Sequence, residues 1–324
     1  MKSASEKKAA GARESIDMNK EKKKQIERWF GRQWVNLILI LSRFLTLEIA
    51  RFCGRVLGKA AFYLIPRHRR GALRNIELIY KDKPKEELRR IIRRTFIHAS
   101  CFGWETVYLY THNITNGEVN KLVTKVEGLE YLQKAATRGK GVIGLGAHLG
   151  NFTLLGKKLE SLGFASTSIM RQMRDEKLET MFRIMRSRIG QNSIPKFPVS
   201  RAVRESIEWL KKGKILMLYV DQRSGQGVEV DFMGIPTPTP TGAAVFALKT
   251  EAAVLPIVNV RDEEGFYKLL IGEEVPIVRT EDHKKDILVN TAKFNKIIEK
   301  YIRLYPDQWF WFHNRWKGVK PNEN

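Results

Sequence analysis

Gly141-Val142-Ile143-Gly144-Leu145-Gly146-Ala147-His148-Leu149-Gly150-Asn151-Phe152-Thr153-Leu154-Leu155-Gly156 is the stretch that decides the fold. The apolar run from Gly141 to Ala147 reads as a short buried strand. From Asn151 onward Leu154, Leu155 and Leu159 fall on one face of a helix. His148 therefore stands where a strand ends and a helix begins, the place where open α/β sheets bind ligands. An imidazole there can act as a general base near neutral pH. The flanking glycines allow tight turns and close approach of a substrate. A lone histidine serves structure as readily as chemistry, so the rest of the chain has to decide.

Outward from this turn the pattern repeats. Strand candidates Val142–Ala147, Ser166–Met170, Ile215–Val220, Val254–Val260 and Tyr267–Ile271 alternate with helix candidates Phe152–Leu162, Glu176–Arg188, Ala202–Lys212 and Gly242–Thr250. A last helix, about Lys284 to Leu304, carries Ile287, Phe294, Ile298, Tyr301 and Ile302 at near-helical spacing. The alternation predicts an α/β fold with a mostly parallel central sheet flanked by helices. No internal repeat is visible. The division expected is a disordered basic arm over residues 1–28, a helical membrane-associating region over 29–110, and an α/β domain over 111–324 that forms one structural unit with 50–110.

The 324-residue chain has a formal net charge of +23, a surplus that implies an anionic partner. Nucleic acid is disfavoured: there is no zinc spacing, RNP-type aromatic stretch or helix-turn-helix. A phospholipid surface fits better. Arg67, Arg69, Arg70, Arg74, Arg89, Arg90, Arg93 and Arg94 crowd one helical block, and a guanidinium matches phosphate through its planar fork. Just upstream, Trp34 to Ser42 is apolar except for Asn36, and then Arg43, Glu48, Arg51 and Arg55 interrupt. A spanning helix needs about 20 mainly apolar residues. A helix lying in the interface, with Trp29, Trp34 and Phe44 at the headgroups, is the better fit, and a single tilted span is the alternative. Cys53 and Cys101 are too few for a disulfide framework and read as buried free thiols. No two of the six histidines have zinc-site spacing, so no metal is expected.

Other candidate site residues follow from position. Asp221 closes the strand Ile215–Val220. Arg171 follows the strand Ser166–Met170, where a guanidinium suits a phosphate. Thr239, Thr241 and Gly242 stand at a helix start, where free N–H groups attract anions, although with Pro236, Pro238 and Pro240 they read equally well as a rigid loop and N-cap. Trp309, Trp311, His313, Arg315, Trp316 and Lys317 make an aromatic–basic cluster that either packs the core or lines a lipid groove. There is no Gly-x-Ser-x-Gly elbow, which counts against a serine hydrolase.

Four segments in order resemble the bacterial lipid A biosynthesis acyltransferases. His148-Leu149-Gly150-Asn151-Phe152-Thr153-Leu154 stands where the family has His-Phe-Gly-Asn-Trp-Glu-Leu. Asp221-Gln222 precedes Phe232-Met233-Gly234-Ile235-Pro236; Thr239-Pro240-Thr241-Gly242 leads to Ala252-Ala253-Val254-Leu255-Pro256; and Pro306 to Lys317 matches the closing motif. The resemblance runs from about Ala50 to Lys317 and implies transfer of a fatty acyl chain, as a thioester co-substrate on acyl carrier protein, to a hydroxyl of an anionic membrane lipid. By resemblance the acceptor is a lipid A precursor; a lysophospholipid, aminolipid or glycolipid fits the residues equally. The location implied is the cytoplasmic face of the inner membrane, peripheral or by one N-terminal anchor, with no cofactor; the oligomeric state stays open. His148 would deprotonate the acceptor hydroxyl, and the amides of Gly150 or Gly242, or the side chains of Asn151 or Arg171, would meet the oxyanion. His313 and Arg315 are further substrate-binding candidates.

One position departs from the pattern. The family places an acid five residues after the histidine, and here it is Thr153, which cannot stabilise an imidazolium by charge. Asp221 is the first candidate to replace it, and Asp175 or Glu176 the second. Otherwise His148 works alone, or the protein binds lipid without chemistry.

Overall fold

The computed structural model describes residues 25–319, so the basic arm expected over 1–28 lies outside the described residues as far as residue 24. Residues 25–42 are helical (α1). There follow α2 (Leu47–Leu64), α3 (Pro66–Ile79) and the long α4 (Lys85–Thr111). Among the described residues no helix is long and apolar enough to cross a membrane. α2 crosses α4 closely because Gly54 and Gly58 face it: a Cβ at either would stand 2.7 Å from the Cys101 Cα or 2.6 Å from the Ile97 Cα. Cys53 and Cys101 are both free thiols, Cys101 buried and Cys53 half-buried.

Next come α5 (Asn116–Leu122), β1 (Val123–Glu127), α6 (Leu129–Ala136), β2 (Val142–Gly146), α7 (Phe152–Ser161), β3 (Ser166–Met170), α8 (Glu176–Arg188), β4 (Gln191–Pro195), α9 (Val199–Lys211) and β5 (Ile215–Tyr219). A hairpin of β6 (Val228–Phe232) and β7 (Ile235–Thr239) leads to α10 (Gly242–Thr250), β8 (Ala253–Arg261), β9 (Tyr267–Ile271), α11 (His283–Leu304) and a 3₁₀ turn at Pro306–Gln308. The seven-stranded sheet has the order β1-β9-β8-β2-β5-β3-β4, and only β8–β9 is antiparallel. This is the mostly parallel sheet that the alternation predicts.

β2 shows why both faces need helices. Ile143 and Leu145 point into one core with Leu210 of α9, Phe246 of α10 and Phe294 and Ile298 of α11. Val142 points into the other, with Leu132 of α6 and Leu154, Leu155 and Leu159 of α7. Strands covered on both faces read as unbroken apolar runs, which is why β2, β5 and β8 are legible in sequence. β1 and β4 lie at the two sheet edges and are largely polar (Val-Thr-Lys-Val-Glu and Gln-Asn-Ser-Ile-Pro), so they carry no such run. The Pro236–Thr239 segment, which reads equally as a rigid loop or as the lead-in to an anion-binding helix start, is part of β7. Its hairpin turns at Met233 and Gly234, whose positive φ values of 57° and 90° suit a two-residue turn.

Candidate active site

Sheet register brings the two leading candidates together. Gly146 of β2 pairs with Tyr219 of β5. Two residues beyond that pair, on the same carboxyl edge, come His148 and Asp221. The His148 ring Nδ1 lies 2.9 Å from Asp221 Oδ1, and the His148 backbone N–H donates to Oδ2, also at 2.9 Å. Trp309 Nε1 donates to the same Oδ2 at 2.8 Å. Three donors thus converge on one buried carboxylate. An ionised carboxylate only accepts, so Nδ1 carries the ring proton and Nε2 keeps its lone pair. Burial alone would lower the His148 pKa, but the Asp221 charge and hydrogen bond outweigh it and the net shift is upward. For Asp221 burial pushes upward, and the His148 and Trp309 contacts outweigh it, leaving the carboxyl below its ordinary range. In this arrangement a buried acid can orient a histidine and stabilise its protonated form.

Thr153 is buried in the first turn of α7, and its hydroxyl stands 3.3 Å from that of Thr106 on α4. Position 153 therefore faces α4, while Asp221 holds the imidazole. Asp175 caps α8 through Lys177 and Leu178 and pairs with Arg32 at 2.7 Å; it is not at His148. Glu176 opens the same helix.

His148 borders an apolar cavity of about 200 Å³ lined by Thr95, His98, Ala99 and Phe102 of α4, Gly150, Phe152, and Gln308, Trp309 and Phe310. The segment after α11 closes it: Phe310 N–H donates to the His148 carbonyl at 3.1 Å and Gly150 N–H to the Gln308 carbonyl at 3.2 Å. Gly150 has a φ of +60°, and a Cβ there would stand 2.0 Å from the Asn259 carbonyl oxygen. Gly150→Ala should therefore combine a left-handed penalty of about 1–2 kcal/mol with a backbone clash. A clearly lowered melting temperature is the expected result; an unchanged one would refute this account of the turn.

The other candidates scatter. The Gly150 amide is engaged, as just described. Asn151 is buried as the N-cap of α7: Oδ1 accepts from Leu154 N–H at 2.9 Å and Nδ2 donates to Glu105 at 3.0 Å. Replacing such a cap costs about 1 kcal/mol. Arg171 is exposed at the carboxyl end of β3. Thr241 precedes α10 without a side-chain cap bond, and Gly242 is its first residue. Arg315 is fully buried, donating to the Pro238 carbonyl and Thr239 Oγ1, so it fastens the hairpin. His313 Nε2 accepts from Arg223 N–H at 3.0 Å, and burial lowers its pKa. Among the described residues no three His, Cys, Asp or Glu side chains cluster to hold a metal ion.

Sequence reasoning missed Glu105, Trp309's role and His98. Glu105 is buried on α4 and binds Arg51 of α2 at 2.7 Å, Arg261 of β8, Tyr267 of β9 and Asn151. Burial pushes its pKa up, but Arg261 and Arg51 prevail and it is held ionised. An acid between Cys101 and Leu109 on the buried face of a helix was the available signal.

The sequence profile described as bacterial lipid A biosynthesis acyltransferase matches residues 18–318. The chain is 27% identical over 299 residues to the lipid A biosynthesis palmitoleoyltransferase of Escherichia coli, covering 89% of this chain and 90% of that protein. It is 23% identical over 273 residues to the lipid A biosynthesis lauroyltransferase of the same organism, covering 82% and 83%. A shorter match, 31% identical over 133 residues, covers 40% of this chain and 42% of a phosphatidylinositol mannoside acyltransferase of Mycobacterium tuberculosis.

Proposed function

The chain belongs to the bacterial lipid A biosynthesis acyltransferase family and is an acyltransferase of lipid substrates, and from that premise we propose that it moves a fatty acyl chain from acyl carrier protein to a hydroxyl of an anionic membrane lipid, with His148 as general base. The observation that carries this reading is the His148–Asp221 pair opening on an apolar cavity. Nε2 takes the acceptor's hydroxyl proton, the oxygen attacks the thioester carbonyl, and the tetrahedral intermediate expels the thiol, which receives the proton back from the imidazolium. Asp221 steadies the cation in between. No covalent enzyme intermediate is needed.

Two features support work at an anionic bilayer. α1, α2 and the turn between them expose large apolar side chains, with Trp34, Phe44, Phe52 and Leu64 at 64, 81, 60 and 77%. The charge of +23 adds long-range attraction to anionic headgroups and to an acidic carrier protein. They support peripheral binding to a membrane surface, which we place at the cytoplasmic face of the inner membrane as part of the same proposal. The acceptor proposed first is a lipid A precursor; the local match to the mannoside acyltransferase makes a phosphoglycolipid the second reading.

The test is acyl transfer from labelled acyl–acyl carrier protein to a panel of lipid A precursor, phosphatidylinositol mannoside and lysophospholipids. Transfer to the lipid A precursor is expected. Transfer to the mannoside alone would establish the second reading. No transfer to any of them, with binding to anionic vesicles intact, would overturn the donor and acceptor assignment.

A further inference from the structure

Most polar groups around the cavity beside His148 are already engaged. Thr95 Oγ1 donates to the Ile91 carbonyl at 3.2 Å. The Gln308 side chain is held at both ends by the Arg261 backbone, at 2.8 and 2.7 Å. The Trp309 indole N–H belongs to Asp221. Ala99, Phe102, Phe152 and Phe310 bring no polar side-chain atom. Among the lining side chains this leaves two imidazoles, His148 and His98.

His98 comes from α4, the wall facing the 148–152 turn. Its Nε2 lies 3.5 Å from Asp307 Oδ2, and Arg94 Nε holds that same oxygen at 2.6 Å. Asp307 and Trp309 thus belong to one short segment that braces both histidines, His98 directly through Asp307 and His148 through Asp221. The mechanism above requires an oxyanion donor, and the Gly150 amide and Asn151 side chain are engaged elsewhere. A preorganised donor in a water-poor site commonly contributes about 10²–10³ in kcat.

We propose that His98 is a second catalytic residue, whose ring N–H donates to the carbonyl oxygen of the acyl group and holds the oxyanion as the acceptor oxygen adds. The charge on that oxygen appears as the carbonyl π bond breaks and disappears when the C–S bond breaks; His98 keeps its own proton, and the proton in transit stays with His148. The Asp307 carboxylate keeps the ring's single proton on Nε2, and at 3.5 Å that contact is long for a hydrogen bond, so this N–H remains free to turn to the oxyanion while Asp307 and Arg94 set the ring's position. The inference rests on the direct-attack reading of the site.

The experiment is steady-state transfer by the full chain with His98→Ala and His98→Gln, and His148→Ala alongside. His98→Ala is expected to lose about 10²–10³ in kcat with KM for the donor within about threefold, and His98→Gln, which retains an N–H, to recover about tenfold of that loss. A kcat for His98→Ala within about threefold of the parent, or a glutamine variant no faster than the alanine one, would overturn the proposal. If His98→Ala loses its melting transition, His98→Asn and His98→Leu, similar in size but differing in the N–H, are compared in the same way. An active His148→Ala would instead sink the general-base reading, whereas an inactive one beside a fast His98→Ala sinks only this inference.

Discussion

His148→Ala should reduce kcat/KM by about 10³-fold, roughly 4 kcal/mol of transition-state stabilisation, with little change in folding. On the proposed mechanism the ring accepts the acceptor's proton, and its Nε2 is the nitrogen left unpaired by Asp221. Its side chain is 27% exposed, so truncation leaves a space open to water rather than a sealed void. Transfer kinetics and a melting curve on the same preparation check both halves. A variant within tenfold of the parent would remove His148 from the chemistry. The pH profile carries a sign. A base must be neutral to act, and Asp221 raises the His148 pKa above its ordinary value of 6.5. The acid limb of kcat/KM should therefore lie above pH 6.5, with activity rising as the pH passes through it.

Asp221→Asn should cost about as much, on the order of 10³–10⁴ in kcat, for a reason visible in the hydrogen bonds. Asp221 Oδ2 accepts from both the His148 backbone N–H and the Trp309 indole. An asparagine must turn its carbonyl oxygen to those two donors. Its NH₂ then faces Nδ1, which has to become the acceptor, and the ring proton moves to Nε2. The base is blocked by its own proton. Without the carboxylate's charge, whatever activity remains should show its acid limb at lower pH than in the parent. A limb that stays put would disconnect Asp221 from the imidazole. Stability follows the opposite sense for the acid itself. Its pKa is depressed in the fold, so its contribution is present above the ordinary carboxyl range and fades as the pH falls through the depressed value.

How much of this was legible depended on whether the signal was local. β2, β5 and β8 are buried on both faces and announce themselves as apolar runs, whereas β1 and β4 borrow their order from one neighbour each. His148 and Asp221 stand out as candidates in the sequence because each ends a readable strand. Their pairing is a consequence of β2–β5 register, which no local pattern encodes. The same limit explains Thr153. Counting five residues from the histidine does not say which way the first turn of α7 faces, and it faces Thr106. Asn151 and Arg315 were chosen for their chemistry, yet both are buried in contacts that shape the turn and the hairpin. Glu105 and His98 went unread because their importance lies in partners far along the chain, Arg261 in one case and Asp307 in the other.

The clasp formed by Asp307 to Phe310 also orders events during synthesis. Chains emerge from the ribosome amino end first and fold as they lengthen. β2 and β5, with His148 and Asp221, leave long before Trp309 is translated. Until then Asp221 lacks its indole donor, and the cavity lacks the wall that Gln308, Trp309 and Phe310 provide. A nascent chain can thus complete its sheet while the cavity beside His148 is still open. The candidate site is completed late, with the last described turn of the fold.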